Sequence, residues 1–459
     1  MKRTLVALVV GLTKAHIGDD TPAIRALAER GWAAPVTPVL PAVTCSAQAT
    51  YVTGLPPQGH GVVGNGWYWR ERGEVAFWKQ SNALMQGPRL WDLARDRDAE
   101  FTCATMFWWF NMFADVDWSV TPRPIYHHDG RKDPDVYSSP PQLRSRLNRE
   151  LGRFPLFRFW GPATSIEATR WIVDATLSVL AQERPTLTLA YLPHLDYDHQ
   201  RYGPQAPQSR QALREVDAEV ARLIEVADRD GLELLLLSEY GIEEVSRPVH
   251  LNRVLREAGF LEPWLNDDSW ELLEPGACRA FAVADHQLAH VYVRRPGDLE
   301  AVREVLESTP GVERVLSGAE RGELDHPRAG DLVCVAKPGA WFTYYYWLDD
   351  ALAPDFANCV EIHKKPGYDP CELFFDPRKG FVKLRLAWKL LRKICGFRTM
   401  FDLIALEPSL VRGSHGRPPR TPEEGAVLVS GSPVGARDRV AATDVQGLIL
   451  ERIFGTERA

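Results

Sequence analysis

The chain has 459 residues and 45% apolar content, which supply a sizeable core for a large α/β protein. Its formal net charge of −7 argues against general nucleic-acid binding. Seven cysteines without a CxxC pair indicate neither a disulfide framework nor a cysteine-type zinc site.

The N-terminus carries a short apolar run, MKRTLVALVVGLT, that superficially suggests a signal peptide. No small-residue cleavage site follows it, and no stretch of the chain is long enough to span a membrane. We therefore predict a buried strand over residues 4–12 and a cytoplasmic protein. A helix is expected over 20–31, with Pro22 in its first turn and Gly31 at its end.

Strands and helices continue to alternate through the first half of the chain. This alternation predicts a mostly parallel sheet that is covered by helices on both faces. The predicted elements are a helix over 87–97, a strand over 100–107, an excursion loop over 119–145, a helix over 164–182, a strand over 186–193, a helix over 207–229, a strand over 232–238 and a helix over 249–260.

The pattern changes near residue 268. RAFAVA and LAHVYV alternate within 279–293 and flank Asp285-His286-Gln287, which predicts a hairpin. A helix over 297–308 and strands over 311–316 and 331–336 complete a small α+β unit. We therefore divide the chain into a first core part (1–267), an inserted α+β subdomain (268–336) and a second core part (337–459), with a Pro-rich linker at 417–422 and a last strand or helix near 425–454.

Residues 378–398 carry eight Lys or Arg and no acid. Within them FVKLRLAWKLLRKI is amphipathic, which is typical of a surface helix with a core-facing stripe. The alternative is peripheral contact with an anionic membrane surface or with a phosphate-bearing substrate.

The stretch 40–67 holds the first candidate for chemistry. Thr44 follows a proline-bounded apolar run, and small residues lead from it into a helix-like stretch that ends at Thr53-Gly54-Leu55. A hydroxyl between a strand and a helix N-terminus can act as a nucleophile, and the helix terminus can hold an anion. The simpler interpretation is a strand-to-helix turn capped by Thr44.

Three motifs in this stretch are in register with a known family. Thr44 is followed ten residues later by the glycine of Val52-Thr53-Gly54-Leu55, and His60-Gly61-Val62-Val63-Gly64-Asn65 comes next. This resembles the nucleophile segment of the nucleotide pyrophosphatase/phosphodiesterase branch of the alkaline phosphatase superfamily. The resemblance implies an alkaline-phosphatase-like α/β sandwich over about the whole chain, with Thr44 as the nucleophile and Asn65 as a substrate-binding residue.

The metal-ligand positions of that family are matched unequally. Val10 stands where the family has a first-strand Asp, and Ser238-Glu239-Tyr240-Gly241-Ile242 stands where it has Ser-Asp-His-Gly-Met. Ser414-His415-Gly416 fits the C-terminal His-Gly. Ala47 replaces the Asn that holds a phosphate oxygen, with Gln48 as the available substitute.

The third ligand position falls in LPHLDYDHQRYGP, which we predict to be a loop. Asp196 matches by its distance to Gly203-Pro204. Four residues further on the family has His, but this chain has Gln200, with His199 one position earlier. His194 and Asp198 are nearby alternatives.

The resemblance implies one or two divalent ions, zinc first and manganese as the alternative. Asp196, His199 and His415 are the expected ligands of one ion, whereas Thr44, Glu239 and Tyr240 would form a weaker second site. Thr44, Asp196, Glu239 and His415 should meet at the C-terminal edge of one sheet. Further candidates are Asp285, His286, His290, His363 and Asp369 as ligands and Lys364 and Lys365 for a phosphate, whereas His16, His250 and His326 are expected to be structural.

The function that the resemblance implies is metal-dependent hydrolysis of a small-molecule phosphate ester, of the phosphodiesterase or nucleotide pyrophosphatase type, through a phospho-threonine intermediate. One alternative is a non-catalytic homologue that binds a phosphate ligand with a degenerate metal site. Another is a transferase of phosphate-containing head groups. The sequence does not indicate an oligomeric state.

Overall fold

A mixed sheet forms the centre of the protein. The computed structural model describes residues 1–128, 132–397 and 399–455. Within these residues the central sheet has nine strands, and a second sheet has four. The strands of both sheets are β1 (Thr4–Val9), β2 (Trp32–Thr37), β3 (Cys103–Met106), β4 (Trp118–Pro122), β5 (Val136–Ser139), β6 (Leu187–Leu192), β7 (Glu233–Leu237), β8 (Ala280–Asp285), β9 (Leu288–Val293), β10 (Val312–Ser317), β11 (Leu332–Ala336), β12 (Val427–Ser430) and β13 (Val440–Ala441).

The central sheet has the order β13-β2-β12-β7-β1-β6-β3-β4-β5. Strand β1 pairs in parallel with β6 and β7, and β3 pairs in parallel with β6 and β4. Strands β12 and β5 run antiparallel to their neighbours. The three central strands β1, β6 and β7 are almost entirely buried apolar runs, as expected for parallel strands that are covered on both faces. The predicted α/β fold is confirmed.

Helices cover both faces of this sheet. The helix Ile166–Gln182 is capped at its start by Ser165, and the helix Pro207–Asp230 begins with proline and ends directly before Gly231, in keeping with the usual start and stop signals. The described helices are α1 (Pro22–Arg30), α2 (Thr44–Thr53), α3 (Pro57–His60), α4 (Leu90–Arg97), α5 (Pro141–Leu151), α6 (Leu156–Phe159), α7 (Ile166–Gln182), α8 (His194–Tyr202), α9 (Pro207–Asp230), α10 (Leu251–Glu257), α11 (Leu299–Glu307), α12 (Val382–Ile394) and α13 (Val445–Phe454).

Two predicted loops contain regular structure. The region 119–145 was expected to be irregular, but it contributes β4, β5 and the start of α5, because β4 pairs with β3 and β5 pairs with β4. Residues 129–131 of that region lie outside the described residues. The expected loop after β6 is helix α8, which begins at His194 directly after Pro193.

The second sheet has the order β8-β9-β11-β10, and its strands are all antiparallel. The predicted hairpin around Asp285-His286-Gln287 is formed by β8 and β9. The core of this sheet also includes Leu251, Phe342 and Tyr344, which lie on either side of the predicted insertion. The boundaries 268 and 336 stay a prediction.

The C-terminal ends of β1, β6 and β7 lie side by side because these strands are parallel and in register. Ligand sites of open α/β sheets form at this edge. Helix α8 follows β6 there, Glu239 follows β7, and the N-terminus of α2 lies nearby, since Thr44 contacts Glu239. The predicted site residues Thr44, Asp196 and Glu239 therefore lie at this edge of the sheet.

Helix α12 confirms the helical part of the basic segment 378–398; Arg398 lies outside the described residues. Across the described parts of the chain, no helix is both long and apolar enough to cross a bilayer.

Candidate active site

Thr44 occupies the first position of α2 and is buried. Val43 before it is extended, so the chain turns directly from an extended segment into the helix. The Thr44 hydroxyl lies 3.2 Å from the Tyr240 hydroxyl and 3.4 Å from Glu239 Oε2. A hydroxyl is thereby placed at a helix N-terminus, where the helix dipole favours negative charge, and within reach of a carboxylate that can accept its proton.

Asp196 lies on α8 and connects to the same cluster through Tyr240, whose hydroxyl donates to Asp196 Oδ1 at 3.3 Å. Gln200 Nε2 donates to Asp196 Oδ2 at 2.8 Å, and Tyr368 donates to Gln200 Oε1 at 3.0 Å. Both polar atoms of the Gln200 amide, Nε2 and Oε1, therefore have hydrogen-bond partners at the site.

His415 has one ring nitrogen engaged and one without a partner. Its Nδ1 lies 2.8 Å from the Ala42 carbonyl, which can only accept, so the proton belongs on Nδ1. Its Nε2 is buried without a hydrogen-bond partner and lies 3.9 Å from Asp196 Oδ1. A neutral imidazole held in this tautomer beside a carboxylate is the arrangement of a metal-binding histidine.

Aromatic rings hold His415 in place. The ring of Tyr240 stacks on it with centroids 3.5 Å apart and an interplanar angle of 6°. The ring of His286, in the hairpin between β8 and β9, packs against His415 and Tyr368, with its centroid 3.7 Å from each of theirs. The hairpin between β8 and β9 therefore reaches the site, so that His286, one of the further ligand candidates, lies beside His415.

Burial sets the protonation of the cluster. It raises the pKa of Asp196 to about 7 and the pKa of Glu239 to about 8. Burial also raises the pKa of Asp285 to about 7 and lowers the pKa of His415 to about 3. The hydrogen-bond partners of Asp196 and Glu239 are the neutral groups of Gln200, Tyr240, Gln48 and Thr44. A bound cation would stabilise the ionised carboxylates.

Gln48 supports Glu239. Its Nε2 donates to Glu239 Oε1 at 2.5 Å, and its Oε1 accepts from the backbone N–H of Trp109 at 2.8 Å. The amide is thus committed on both sides in this structure, which differs from the expected role as a substitute phosphate-binding residue.

Asn65 joins the start of α2 to the inserted sheet. Its Oδ1 accepts from the Cys45 N–H at 3.0 Å, while its backbone N–H and Nδ2 donate to the Asp285 carboxylate at 2.7 and 3.0 Å. The side chain therefore lies next to Thr44, where a substrate phosphate is expected.

His199 is not part of the cluster around Thr44. Its ring lies against His16, with centroids 5.2 Å apart, and a Cβ built on Gly11 would lie 3.7 Å from its Nδ1. The residue four positions after Asp196 shares its face of α8, and that residue is Gln200. The expected ligand set of Asp196, His199 and His415 is therefore corrected, since Gln200 occupies the place that the sequence assigned to His199.

The other candidates lie elsewhere or are already paired. His363 and Lys364 are exposed, and His363 Nδ1 lies 3.4 Å from the Phe77 carbonyl. Lys365 is buried in a salt bridge with Asp369 and Glu372. The remaining alternatives have partners of their own: His290 contacts the Val63 carbonyl and the Gly330 N–H, His194 pairs with Glu215, and Asp198 pairs with Arg201.

The residues present do not fit a two-ion centre. In the described part of the chain, no three His, Cys, Asp or Glu side chains lie together in a metal-binding arrangement. Val10 is fully buried and apolar. A feature that does fit is the unpartnered His415 Nε2 beside Asp196, which provides two ligand atoms for a single divalent ion. The Nδ1 of His286 and both ring nitrogens of His199 are also buried without a hydrogen-bond partner.

Two residues at the site, Tyr368 and Tyr191, are not identified by the sequence, and Gln200 is identified there only as a departure from the family pattern. Gln200 and Tyr368 complete the hydrogen bonds of Asp196, and Tyr191 contacts Thr44 through its hydroxyl. Tyr191 lies near the end of the buried run TLTLAYLP, so its position at the C-terminal end of a strand was the available signal.

A cleft of about 190 Å³ borders the cluster at Tyr240. Two arginines line it, and Arg417 donates to Glu313 at 2.7 Å. Arg417 Nη1 is also 3.8 Å from Glu243 Oε2. Glu243 and Glu424 also line the cleft and pair with these arginines, so the charges of its wall are mixed. Its polar lining includes Thr13, His16, Glu243, Glu244, Gln287, Arg417, Arg420 and Glu424.

Residues 4–369 match the family described as type I phosphodiesterase / nucleotide pyrophosphatase. The chain belongs to this family. Family membership supports a hydrolase of phosphate esters, and the predicted resemblance is confirmed.

Two relatives match over part of the chain. An uncharacterized pyrophosphatase/phosphodiesterase of Schizosaccharomyces pombe is 26% identical over 236 residues, 49% of this chain and 41% of that protein. The human ectonucleotide pyrophosphatase/phosphodiesterase family member 7 is 24% identical over 284 residues, 60% of this chain and 54% of that protein. The matched regions thus span about half the length of these relatives.

Solved structures show the same fold over nearly the whole chain. Phosphonoacetate hydrolase from Sinorhizobium meliloti, in complex with phosphonoformate, has a TM-score of 0.62 and 15% identity, covering 98% of this chain and 96% of that one. An inactive form of murine ectonucleotide pyrophosphatase/phosphodiesterase 5, in complex with AMP, has a TM-score of 0.58 and 15% identity, covering 100% and 96%.

Proposed function

We propose that the protein hydrolyses small phosphodiesters or nucleotide pyrophosphates with Thr44 as the nucleophile. The observation that carries the proposal is the position of the Thr44 hydroxyl, at the first residue of α2 and 3.4 Å from Glu239 Oε2. Family membership supports the same reaction class. A cytoplasmic location stays a prediction.

The side chains of this site have separate tasks in the proposed reaction. Thr44 Oγ1 attacks phosphorus, Glu239 Oε2 takes the hydroxyl proton, and the bond from phosphorus to the leaving oxygen breaks. This forms a phospho-threonine. Water then attacks phosphorus from the leaving-group side, the bond to Thr44 Oγ1 breaks, and the proton held by Glu239 returns to Thr44 Oγ1. The proton that water loses neutralises the released leaving oxygen.

Neighbouring groups orient these atoms. Gln48 holds Glu239 in position, and the Tyr240 hydroxyl bridges Thr44 and Asp196. The N-terminus of α2 stabilises negative charge on the phosphate oxygens. Asn65 lies beside this helix terminus. Its Nδ2, which donates to Asp285 in this structure, is proposed to donate to a phosphate oxygen when substrate binds.

Asp196 and His415 are proposed to hold one divalent ion, zinc or manganese, which when bound would supply positive charge beside the phosphate. Such an ion would also favour the ionised form of Asp196, whose pKa burial raises to about 7. A second ion is not proposed, because Val10 and Tyr240 stand at positions where the family pattern has Asp and His.

A second candidate function is phosphate-ligand binding without turnover. The specific observation is the combined presence of Val10, Gln200 and Tyr240 at the site, which leaves few charged ligands. A binding protein needs the anion site at α2 but not the acceptor for the Thr44 proton.

The two candidates are separated by one assay on the purified protein. We expect hydrolysis of an aryl phosphodiester in the presence of zinc or manganese, and loss of most of that activity after treatment with a chelator, with recovery when metal is added back. An aryl phosphomonoester serves as the reaction-class control. Tight binding of AMP with no hydrolysis under any metal condition would favour the binding protein.

A titration of metal affinity tests the ligand assignment from the structure. Gln200→His places an imidazole beside Asp196 and should tighten zinc binding by about tenfold or more, since it adds a nitrogen ligand. His199→Gln is the matched control and should leave zinc affinity unchanged, because His199 lies against His16. Calorimetric titration with zinc measures both. A loss of affinity in His199→Gln would instead restore the ligand set expected from the sequence.

A further inference from the structure

The segment 377–402 leaves the body of the protein and returns to it. Its two ends meet where Phe375 and Ile404 form an isolated antiparallel bridge, and the Asp376 N–H donates to the Leu403 carbonyl at 2.9 Å. Helix α12 lies inside this excursion. The excursion is separate from the Thr44 site, so its role is independent of the proposed reaction.

One face of α12 is apolar and open to solvent. Leu384, Trp388 and Leu391 are spaced by four and three residues, so they share a face, and their exposed fractions are 69%, 60% and 50%. Phe381 and Phe397 extend the apolar surface beyond the two ends of the helix. A contiguous exposed surface of this kind marks an interaction site rather than scattered surface residues. The exposed large apolar residues of the excursion are Phe381, Leu384, Trp388, Leu390, Leu391, Ile394, Phe397 and Met400.

The opposite side of α12 contacts the rest of the excursion. Val382, Leu386 and Lys389 repeat with the same four-and-three spacing and are partly buried. The Lys389 ammonium donates to the Met400 carbonyl at 2.9 Å and pairs with Asp402. These contacts fix the helix so that the apolar face points away from the segment 399–403, through which the excursion returns.

Charge identifies the partner of this face. Residues 378–398 carry eight Lys or Arg and no acid, in a chain whose formal net charge is −7. Arg385 and Arg392 are seven residues apart, are exposed, and lie along one edge of the face formed by Leu384, Trp388 and Leu391. A second copy of the chain would bring two such basic segments against each other. An anionic lipid surface accepts both the apolar face and the cations at its edge.

We propose that α12 lies in the interface of an anionic membrane. Leu384, Trp388 and Leu391 enter the boundary between head groups and acyl chains, and Arg385 and Arg392 remain at the level of the lipid phosphates. The protein is thereby held on the membrane surface by one helix parallel to it.

The test is co-sedimentation of the full chain with vesicles. We expect binding to phosphatidylcholine vesicles that contain phosphatidylserine, with much weaker binding to pure phosphatidylcholine and a decrease as salt rises. The paired change Leu384→Ser and Trp388→Ser should lower the partition coefficient by about tenfold or more. Trp264→Ser is the matched control, because Trp264 is 61% exposed but lies outside the excursion.

A charge variant tests the second half of the proposal. Arg385→Glu with Arg392→Glu should also reduce binding to phosphatidylserine vesicles by about tenfold, whereas the exposed Arg149→Glu on α5 should not. Near-UV circular dichroism of each variant verifies folding. The proposal is overturned if the native chain fails to bind phosphatidylserine vesicles, or if the native chain forms a dimer that Leu384→Ser with Trp388→Ser abolishes.

Discussion

Thr44→Ala is expected to lower kcat/KM for an aryl phosphodiester by about a thousandfold or more, because it removes the atom that attacks phosphorus. The loss should appear in kcat, since Asn65 and the N-terminus of α2 still hold the phosphate. Steady-state kinetics with added zinc or manganese measures it. Trapping with a radiolabelled phosphodiester should show a labelled protein for the native chain and none for the variant.

Two controls accompany this variant. Thr44→Ser keeps a hydroxyl at the first position of α2 and should retain a measurable part of the activity. Both variants should unfold within about 1 kcal/mol of the native protein, since Thr44 contributes one hydroxyl and one methyl group to the core. Native kcat in Thr44→Ala would remove Thr44 from the mechanism, and the same loss in both variants would show that the site tolerates no change of shape at this position.

The largest effect on stability is expected for Lys365→Met. The Lys365 ammonium is buried and lies 2.8 Å from both Asp369 Oδ2 and Glu372 Oε1. Although burial lowers the pKa of Lys365, the two carboxylates hold it above its usual range, so the group is charged. Removal of this cation leaves two buried carboxylates without compensation, which should lower the free energy of unfolding by about 3–5 kcal/mol.

The neighbouring residue provides the control for this change. Lys364 is exposed, so Lys364→Met should alter the free energy of unfolding by less than about 0.5 kcal/mol. Urea denaturation followed by tryptophan fluorescence measures both variants. Glu372 also accepts from the Trp160 indole and the Glu361 N–H, which ties the ion group to its surroundings. Equal stability of the two variants would show that the Lys365 contacts contribute nothing net.

The Lys364 control also tests a binding prediction. Lys364 was expected to neutralise a substrate phosphate, and that role stays a prediction. A rise in KM for the phosphodiester in Lys364→Met, with unchanged stability, would support it. Lys365 is a poor candidate for the same role, since its ammonium is committed to Asp369 and Glu372.

The central parallel strands and most of the helices follow from the sequence alone. Apolar runs such as TLVALV and LTLAYL are typical of parallel strands buried on both faces, and this pattern does not depend on distant contacts. Because the C-terminal ends of such strands share one edge, residues that follow them were expected to meet. The structure brings Thr44, Glu239, Tyr240, Asp196 and His415 together there.

The tertiary structure alone decided the partners within that edge. The spacing to Gly203-Pro204 identifies Asp196 in the sequence. Only the helical geometry of α8 places Gln200 on the same face as Asp196 and turns His199 towards His16. A loop would have left both possibilities open, whereas a helix separates neighbouring residues by about 100°.

Long-range pairing was equally invisible in the sequence. Asp285 lies 220 positions from Asn65, and its pairing with that residue follows from where the inserted sheet packs. The strands within 119–145 form because β3 offers a free edge for β4, and polar residues alone suggested a loop there. Local patterns thus predict most of the strands and helices, while the packing of distant segments decides the strands within 119–145 and which side chains face one another.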